Sequence, residues 1–174
     1  MSSKKNAAQS SNEAMSLVYE DLREWLEEAQ RLNEVKVVRG ATWQEEIGLA
    51  TELVSHADNA PAVLFEDIPG VDKSFRVLAN IFGGTRKNMT LGFRTDLDKV
   101  QLSDAFANAW DTDRTIAPVY VESGPIFDNI ITGNKLDVEM FPTPIWHSGD
   151  GGRYIGTGSY NVTQDPDTGE LNLG

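Results

Sequence analysis

Two prolines one residue apart, Pro142 and Pro144, followed by glycines at 149, 151 and 152, restrict this 174-residue chain more than any other feature. Each proline removes a backbone donor and fixes φ, so residues 140–145 must run extended, as a connector laid over a surface rather than a strand inside a sheet. Trp146 and His147 follow, and Ser148-Gly149-Asp150-Gly151-Gly152 has to be a loop. Its glycines permit positive φ and close backbone approach. Two readings stay open here, a structural turn or a loop that binds something. His147 and Asp150 are metal-ligand types three residues apart, but they make an incomplete site, and His147 reads first as structural. Arg153 either clamps an anion or pairs with Asp150, and the ion pair is the simpler expectation.

Beyond the loop the period becomes two. Over 154–164, Tyr154, Gly156, Gly158, Tyr160 and Val162 share one face of a predicted strand, and Ile155, Thr157, Ser159, Asn161 and Thr163 share the other. Such a hydroxyl-rich stripe faces solvent or a polar ligand. Asp165-Pro166-Asp167-Thr168-Gly169 signals a tight turn, and residues 170–174 begin a returning strand that carries Asn172 beside the stripe. Gly174 then falls within a strand whose edge is open, so the chain is expected to be the first portion of a longer protein.

The residues before this block read as scaffold. Val18, Leu22, Trp25, Leu26, Ala29 and Leu32 recur at helical spacing over 16–32, with Ser16 as the expected N-cap and a charged, solvated opposite face. Val35, Val37 and Val38 predict a strand closed by Gly40. Thr42 to Glu45 matches a capping box before a second helix that ends near His56, a residue favoured there by the helix dipole. Compact apolar runs at 62–65 and 75–79 predict two strands. Gly83-Gly84-Thr85 opens a short helix through Leu91; it lacks the spacing of a phosphate loop and reads as a turn and cap. A further helix is predicted over 96–110 with Val100, Phe106, Ala109 and Trp110 buried, then strands at 118–122 and 126–132 around Ser123-Gly124-Pro125.

The class is therefore α+β, without strict βαβ alternation. The expected division is a solvated tail at 1–16, a mixed α/β domain at 17–117 and a strand-rich second domain from 118 to 174. A hydrophobic content of 40% supports a core, and a net charge of −12 argues against nucleic acid, whose phosphates need a basic surface. No apolar run approaches the roughly 18 residues of a membrane span, and the first residues lack the apolar stretch of a secretory signal. The absence of cysteine excludes disulfides and thiolate chemistry and fits a cytoplasmic chain.

The late block resembles the UbiD family of reversible decarboxylases that use prenylated flavin mononucleotide. The resemblance rests on Asp137, Pro142, Pro144, His147, Asp150, Gly151, Gly152, Arg153, Tyr154, Ile155, Thr157, Pro166 and Asn172, and on the earlier segments DLREWLEEAQRLNEV, PAVLFEDIPG and VLANIFGGTRKNMTLG. It extends over about residues 17–174.

What the resemblance implies is an α/β domain leading into the start of a split β-barrel that binds prenylated FMN through Mn²⁺, with K⁺ nearby. Asn172 matches the family's metal- and cofactor-contacting asparagine, an amide oxygen suited to a hard cation. Leu173 and Gly174 would begin the cofactor-binding segment through backbone groups, and Thr157 corresponds to a barrel threonine near the cofactor. The family's remaining metal ligands and its acid-base residues would lie after Gly174, so no catalytic residue is assigned and the fragment alone is expected to be inactive. The implied reaction releases CO₂ from an aromatic or α,β-unsaturated carboxylic acid, with a flavin prenyltransferase supplying the cofactor and a homo-oligomeric full-length protein. The alternatives are a non-catalytic binding or assembly module and a plain flavin-binding domain.

Overall fold

The computed structural model describes residues 16–109, 117–156 and 159–174. The expected burial of Trp110 and the barrel position of Thr157 lie outside these residues.

The first helix, α1, spans Leu22–Arg31. Its N-cap is Asp21, whose carboxylate accepts from the backbone N–H groups of Arg23 at 2.7 Å and Glu24 at 3.0 Å. The expected cap, Ser16, lies outside the helix, and its N–H donates to the Gly92 carbonyl at 2.7 Å. A carboxylate one turn inside the apolar pattern caps more effectively than a distant hydroxyl, which shortens the helix. Trp25, Leu26 and Ala29 form the buried stripe. Asn33 takes a positive φ of 58° and turns the chain into β1, Val35–Arg39.

The next helix, α2, is Glu46–Ser55. It starts later than the capping-box pattern predicts: the carboxylate that reaches back to the Thr42 N–H, at 2.8 Å, belongs to Glu46 and not to Glu45. Strands β2, Ala62–Glu66, and β3, Val77–Ala79, complete a three-stranded sheet in the order β1-β2-β3. The first pair is parallel, with Val35 opposite Ala62. The second is antiparallel, with Leu64 opposite Leu78.

Alternation along β2 explains the layers. Ala62 and Leu64 point into the apolar cluster beneath α1, with Trp25, Leu26, Ala29 and Met89. Val63 and Phe65 point the other way, into the cluster beneath α2, with Ala41, Ile47 and Ile68. A central strand covered on both faces reads as a continuous apolar run, as Ala62-Val63-Leu64-Phe65 does.

Helix α3, Arg86–Thr90, follows the Gly83-Gly84 turn. The glycines make room for a buried ion pair: a Cβ on Gly83 would strike the Arg86 guanidinium, and one on Gly84 would lie 2.6 Å from the Glu34 carboxylate. Arg86 is fully buried; its Nη1 donates to Glu34 at 2.9 Å, and its Nε and Nη2 donate to the Asn80 carbonyl at 3.0 and 2.6 Å. Partial burial raises the Glu34 carboxyl, but hydrogen bonds from Thr85 and Arg86 outweigh it and leave the group below its ordinary range.

Helix α4, Lys99–Ala109, has helical spacing but no buried residue, and Val100 is 70% exposed. The helix forms as expected, but Val100, Phe106 and Ala109 are not buried as expected, because its apolar residues find little cover.

Residues 117–141 correct the sequence reading further. No strand occurs at 118–122 or 126–132 among the described residues; single 3₁₀ turns stand at Pro125–Phe127, Gly133–Lys135 and Val138–Met140. β-branched residues favour a strand only when a neighbouring strand takes up their backbone groups, and among the described residues none pairs with these runs. Among the described residues, the predicted strand over 154–164 is reduced to β4, Val162–Gln164, and Gly156 turns the backbone with a φ of 85°. β5, Leu171–Leu173, returns antiparallel to it. The architecture is thus mixed α+β with two small sheets.

Candidate functional site

The extended connector predicted from Pro142 and Pro144 forms a strap across the first region. Its Ile145 N–H donates to the Trp43 carbonyl at 2.9 Å. Where the strap crosses α2, the helix has Gly48, and a Cβ there would lie only 2.5 Å from the Ile145 carbonyl oxygen. Glycine is required at this crossing for steric reasons.

Arg153 secures the strap from the other side. Its Nε donates to the Thr143 carbonyl at 2.8 Å, its Nη2 donates to the Phe141 and Glu139 carbonyls, and its guanidinium carbon stands 4.4 Å from the centre of a Trp43 ring. The expected Arg153–Asp150 ion pair does not form. The extended strap has no strand partner, so its carbonyls need donors, and a planar guanidinium supplies several at once.

Asp150 pairs with His147 instead. Its Oδ2 accepts from the His147 backbone N–H at 3.0 Å and lies 3.8 Å from His147 Nδ1. His147 Nε2 reaches Glu52 on α2 at 3.3 Å, and the other Glu52 oxygen meets His56 Nε2 at 2.8 Å. Hydrogen bonds from His56 and then His147 hold the Glu52 carboxyl below its usual range. His56 itself occupies the expected C-terminal position of α2. Clefts of 480 and 560 Å³ are both lined by Glu52, Trp146 and His147.

The hairpin that follows closes through the predicted turn. Asp165 Oδ1 accepts from the N–H groups of Asp167 at 2.9 Å and Thr168 at 2.7 Å, and Gly169 adopts a φ of 74°. These N–H donors lower the Asp165 carboxyl, Thr168 first. The register, unreadable from sequence, puts Asn172 opposite Thr163 and Leu173 opposite Val162. Asn161 and Gly174 exchange backbone hydrogen bonds of 2.8 and 3.0 Å, which extends the ladder by one pair. One face of the ribbon therefore carries Asn161, Thr163, Asn172 and Gly174; the other carries Val162, Leu171 and Leu173. Both strands are exposed.

Among the expected site residues, Asn172, Leu173 and Gly174 stand together on β5 and just beyond it. Asn172 offers one neutral oxygen donor. Among the described residues no group of three histidine, cysteine, aspartate or glutamate side chains is placed to hold a metal, and His147 and Asp150 are engaged with each other and with Glu52. A divalent cation takes about six oxygen donors or more, so these residues do not by themselves fit Mn²⁺.

Sequence reasoning missed the Glu52–His147 contact and the stacking of Arg153 on Trp43. The partners of the first are separated by 95 residues, and nothing local marks them. The second had a faint signal in an arginine directly after a glycine loop.

Residues 23–105 match the family described as the 3-octaprenyl-4-hydroxybenzoate carboxy-lyase N-terminal domain, and residues 119–174 match the Rift-related domain of the same carboxy-lyase. The chain belongs to the UbiD family. A pyrrole-2-carboxylic acid decarboxylase of Pseudomonas aeruginosa is 46% identical over 52 residues, which cover 30% of this chain and 10% of that protein. The vanillic acid decarboxylase of Sedimentibacter hydroxybenzoicus in an open form superposes with a TM-score of 0.73 at 28% identity, covering 90% of this chain and 35% of that one. Its closed form gives a TM-score of 0.73 at 27% identity over 91% of this chain and 34% of that one. The chain thus spans about a third of the UbiD-family structures it matches and a tenth of the curated relative. No helix among the described residues is long and apolar enough to cross a membrane.

Proposed function

We propose that this chain forms the opening portion of a UbiD-type carboxy-lyase that releases CO₂ from an aromatic or α,β-unsaturated carboxylic acid with prenylated FMN, Mn²⁺ and K⁺. The observation that carries this reading is the hairpin register: Asn172 shares one polar face with Thr163, Asn161 and Gly174. The family resemblance assigns Asn172 to the metal and cofactor, Leu173 and Gly174 to cofactor contact through their backbones, and Thr157 to the barrel wall beside it. In this reading the hairpin is the start of a split barrel, and residues 118–174 are the beginning of its domain.

When bound, the modified flavin would supply an electron sink for the pair left when CO₂ departs. On this face the described residues present the amides of Asn161 and Asn172 and the Thr163 hydroxyl, none of which is a general acid, so no proton transfer is assigned to them. Their part is to hold β5 in register. The Asp165 turn fixes which residue stands opposite Asn172.

The test is to express this chain within a protein of the length of its structural relatives, together with a flavin prenyltransferase. Bound flavin is identified by absorbance and mass, and CO₂ release is measured on aromatic and α,β-unsaturated acids. The expected result is prenylated flavin, bound manganese and CO₂ release, with N172A losing metal and flavin together while remaining folded. A folded protein that holds no flavin would be a binding or assembly module, and one that holds only unmodified flavin without CO₂ release would be a plain flavin protein. Sedimentation of the loaded protein reports the proposed homo-oligomer.

A further inference from the structure

Trp25 and Trp146 both pack into apolar clusters, and their indole N–H groups fare differently. Trp25 is 2% exposed, and its Nε1 donates to Thr90 Oγ1 at 2.8 Å. Trp146, on the strap, packs against the cluster beneath α2 that contains Ile47 and Phe65, and its Nε1 is out of reach of water and has no acceptor. A buried donor without a partner forfeits the hydrogen bond it had in water, so the seated indole is held by apolar contact against an opposing polar cost.

The surroundings leave this ring somewhere to go. Trp146 is half-buried and lines both the 480 and the 560 Å³ cleft. Protein interiors have few voids larger than a water molecule, so a ring bordering two such clefts has room to change rotamer that a core side chain lacks. Once turned into a cleft, the N–H has water for an acceptor, and the Glu52 carboxylate lines both clefts as a second one. We propose that Trp146 is a swinging plug, whose indole leaves its seat by side-chain rotation while the backbone of the strap stays docked.

The backbone on either side of the ring does not share its freedom. Before it, the Ile145 N–H donates to the Trp43 carbonyl at 2.9 Å, and the strap crosses α2 closely at Gly48. After it, the His147 N–H donates to Asp150 Oδ2 and the Asp150 N–H donates to the His147 carbonyl, each at 3.0 Å. Movement is therefore confined to the side chain, and each swing reshapes both clefts at once and adds the vacated apolar seat to them. The plug involves neither Asn172 nor a cofactor, so it stands or falls separately from the proposed reaction.

Because no water reaches Nε1 in the seated form, exchange of its hydrogen reports the movement itself, and Trp25 is the control within the same molecule. The experiment follows exchange of the indole and backbone N–H groups of the intact chain by NMR, each ring assigned through its own backbone and each rate divided by that of the same group in an unstructured peptide. The Trp146 indole should exchange at least about tenfold faster than that of Trp25, since one lacks the hydrogen bond the other keeps. Its rate should also exceed that of the Ile145 amide and stay constant in denaturant below the unfolding transition, as a local opening does, whereas that of Trp25 climbs. A Trp146 indole that matches Trp25 in rate or in denaturant dependence overturns the proposal. So does one that exchanges only in step with the Ile145 amide, because the whole strap would then be lifting and not the ring.

Discussion

In residues 16–109, Ala29, Ile47, Ala62 and Phe65 are wholly buried, whereas in residues 117–174, Val119, Tyr120, Ile126 and Tyr160 are between 79% and 94% exposed. The two stretches do not differ in kind of residue so much as in what lies across from each residue. In the first, β2 has a helix on either face, and both helices come from within forty or so residues of it. In the second, β4 and β5 have each other and a turn. A two-stranded ribbon alone is marginal in water, because half of its side chains gain nothing from pairing. A period-two pattern therefore specifies which residues share a face, while burial depends on a partner that the pattern does not supply.

The largest blow to the first region should come from R86M. It removes the buried cation, takes the guanidinium from the Asn80 carbonyl and leaves the Glu34 carboxylate with only Thr85 and the residue-86 backbone N–H as donors, a change that costs about 3–5 kcal/mol when one member of a buried pair is lost. Denaturant unfolding followed by tryptophan fluorescence should show the loss, since Trp25 of α1 is buried in the cluster against β2. A cost under about 1 kcal/mol would mean that water reaches this pair and that the first region is less self-contained than its burial indicates.

G48A should separate the two regions rather than unfold either. The new Cβ overlaps the strap backbone, and overpacking of this kind costs about 1–3 kcal/mol. Exchange should quicken at 143–153 and remain unchanged in β2. If β2 loosens as well, the strap is part of the first region's core and the division drawn above is misplaced.

The smallest effect is set by pH. The folded-state pKa of Glu34 is depressed, so its contribution to stability is full above its unfolded-state pKa and disappears as pH falls through the folded-state value. Unfolding midpoints of the first region should therefore decline on acidification below the ordinary carboxylate range. E34Q should start lower and decline less steeply. An equal decline in E34Q would shift the responsibility to the exposed carboxylates.

These outcomes bear on how much of the molecule is legible from its sequence. Helix α1 and strand β2 are legible because each finds its cover nearby, so pattern and burial coincide; β1, an edge strand without a buried residue, and α2, which buries only Ile47 and Gly48, form with less cover. Val100 and Phe106 in α4 have the right spacing and little cover, and the runs at 118–122 and 126–132 have β-branched residues and no adjacent strand. In both places local preference is readable and tertiary context decides the result. The turn at Asp165–Gly169 and the return strand bearing Asn172 are legible from turn chemistry, but the pairing of Asn172 with Thr163 emerges only in the folded hairpin. Contacts such as Glu52 with His147, or Arg86 with Glu34, join residues whose sequence neighbourhoods say nothing about each other.

The hydrogen bond from the Ser16 N–H to the Gly92 carbonyl has a consequence for the order of events during synthesis. It closes residues 16–92 on themselves, within a stretch that is complete before the strap has been made. A chain leaving the ribosome N-terminus first thus has the sheet, both covering helices and the Arg86 pair in hand while residues 142–153 are still untranslated, as domains that fold as units do. The groove at Gly48 and the face of Trp43 are then a finished template, and the strap is laid onto a surface that already exists.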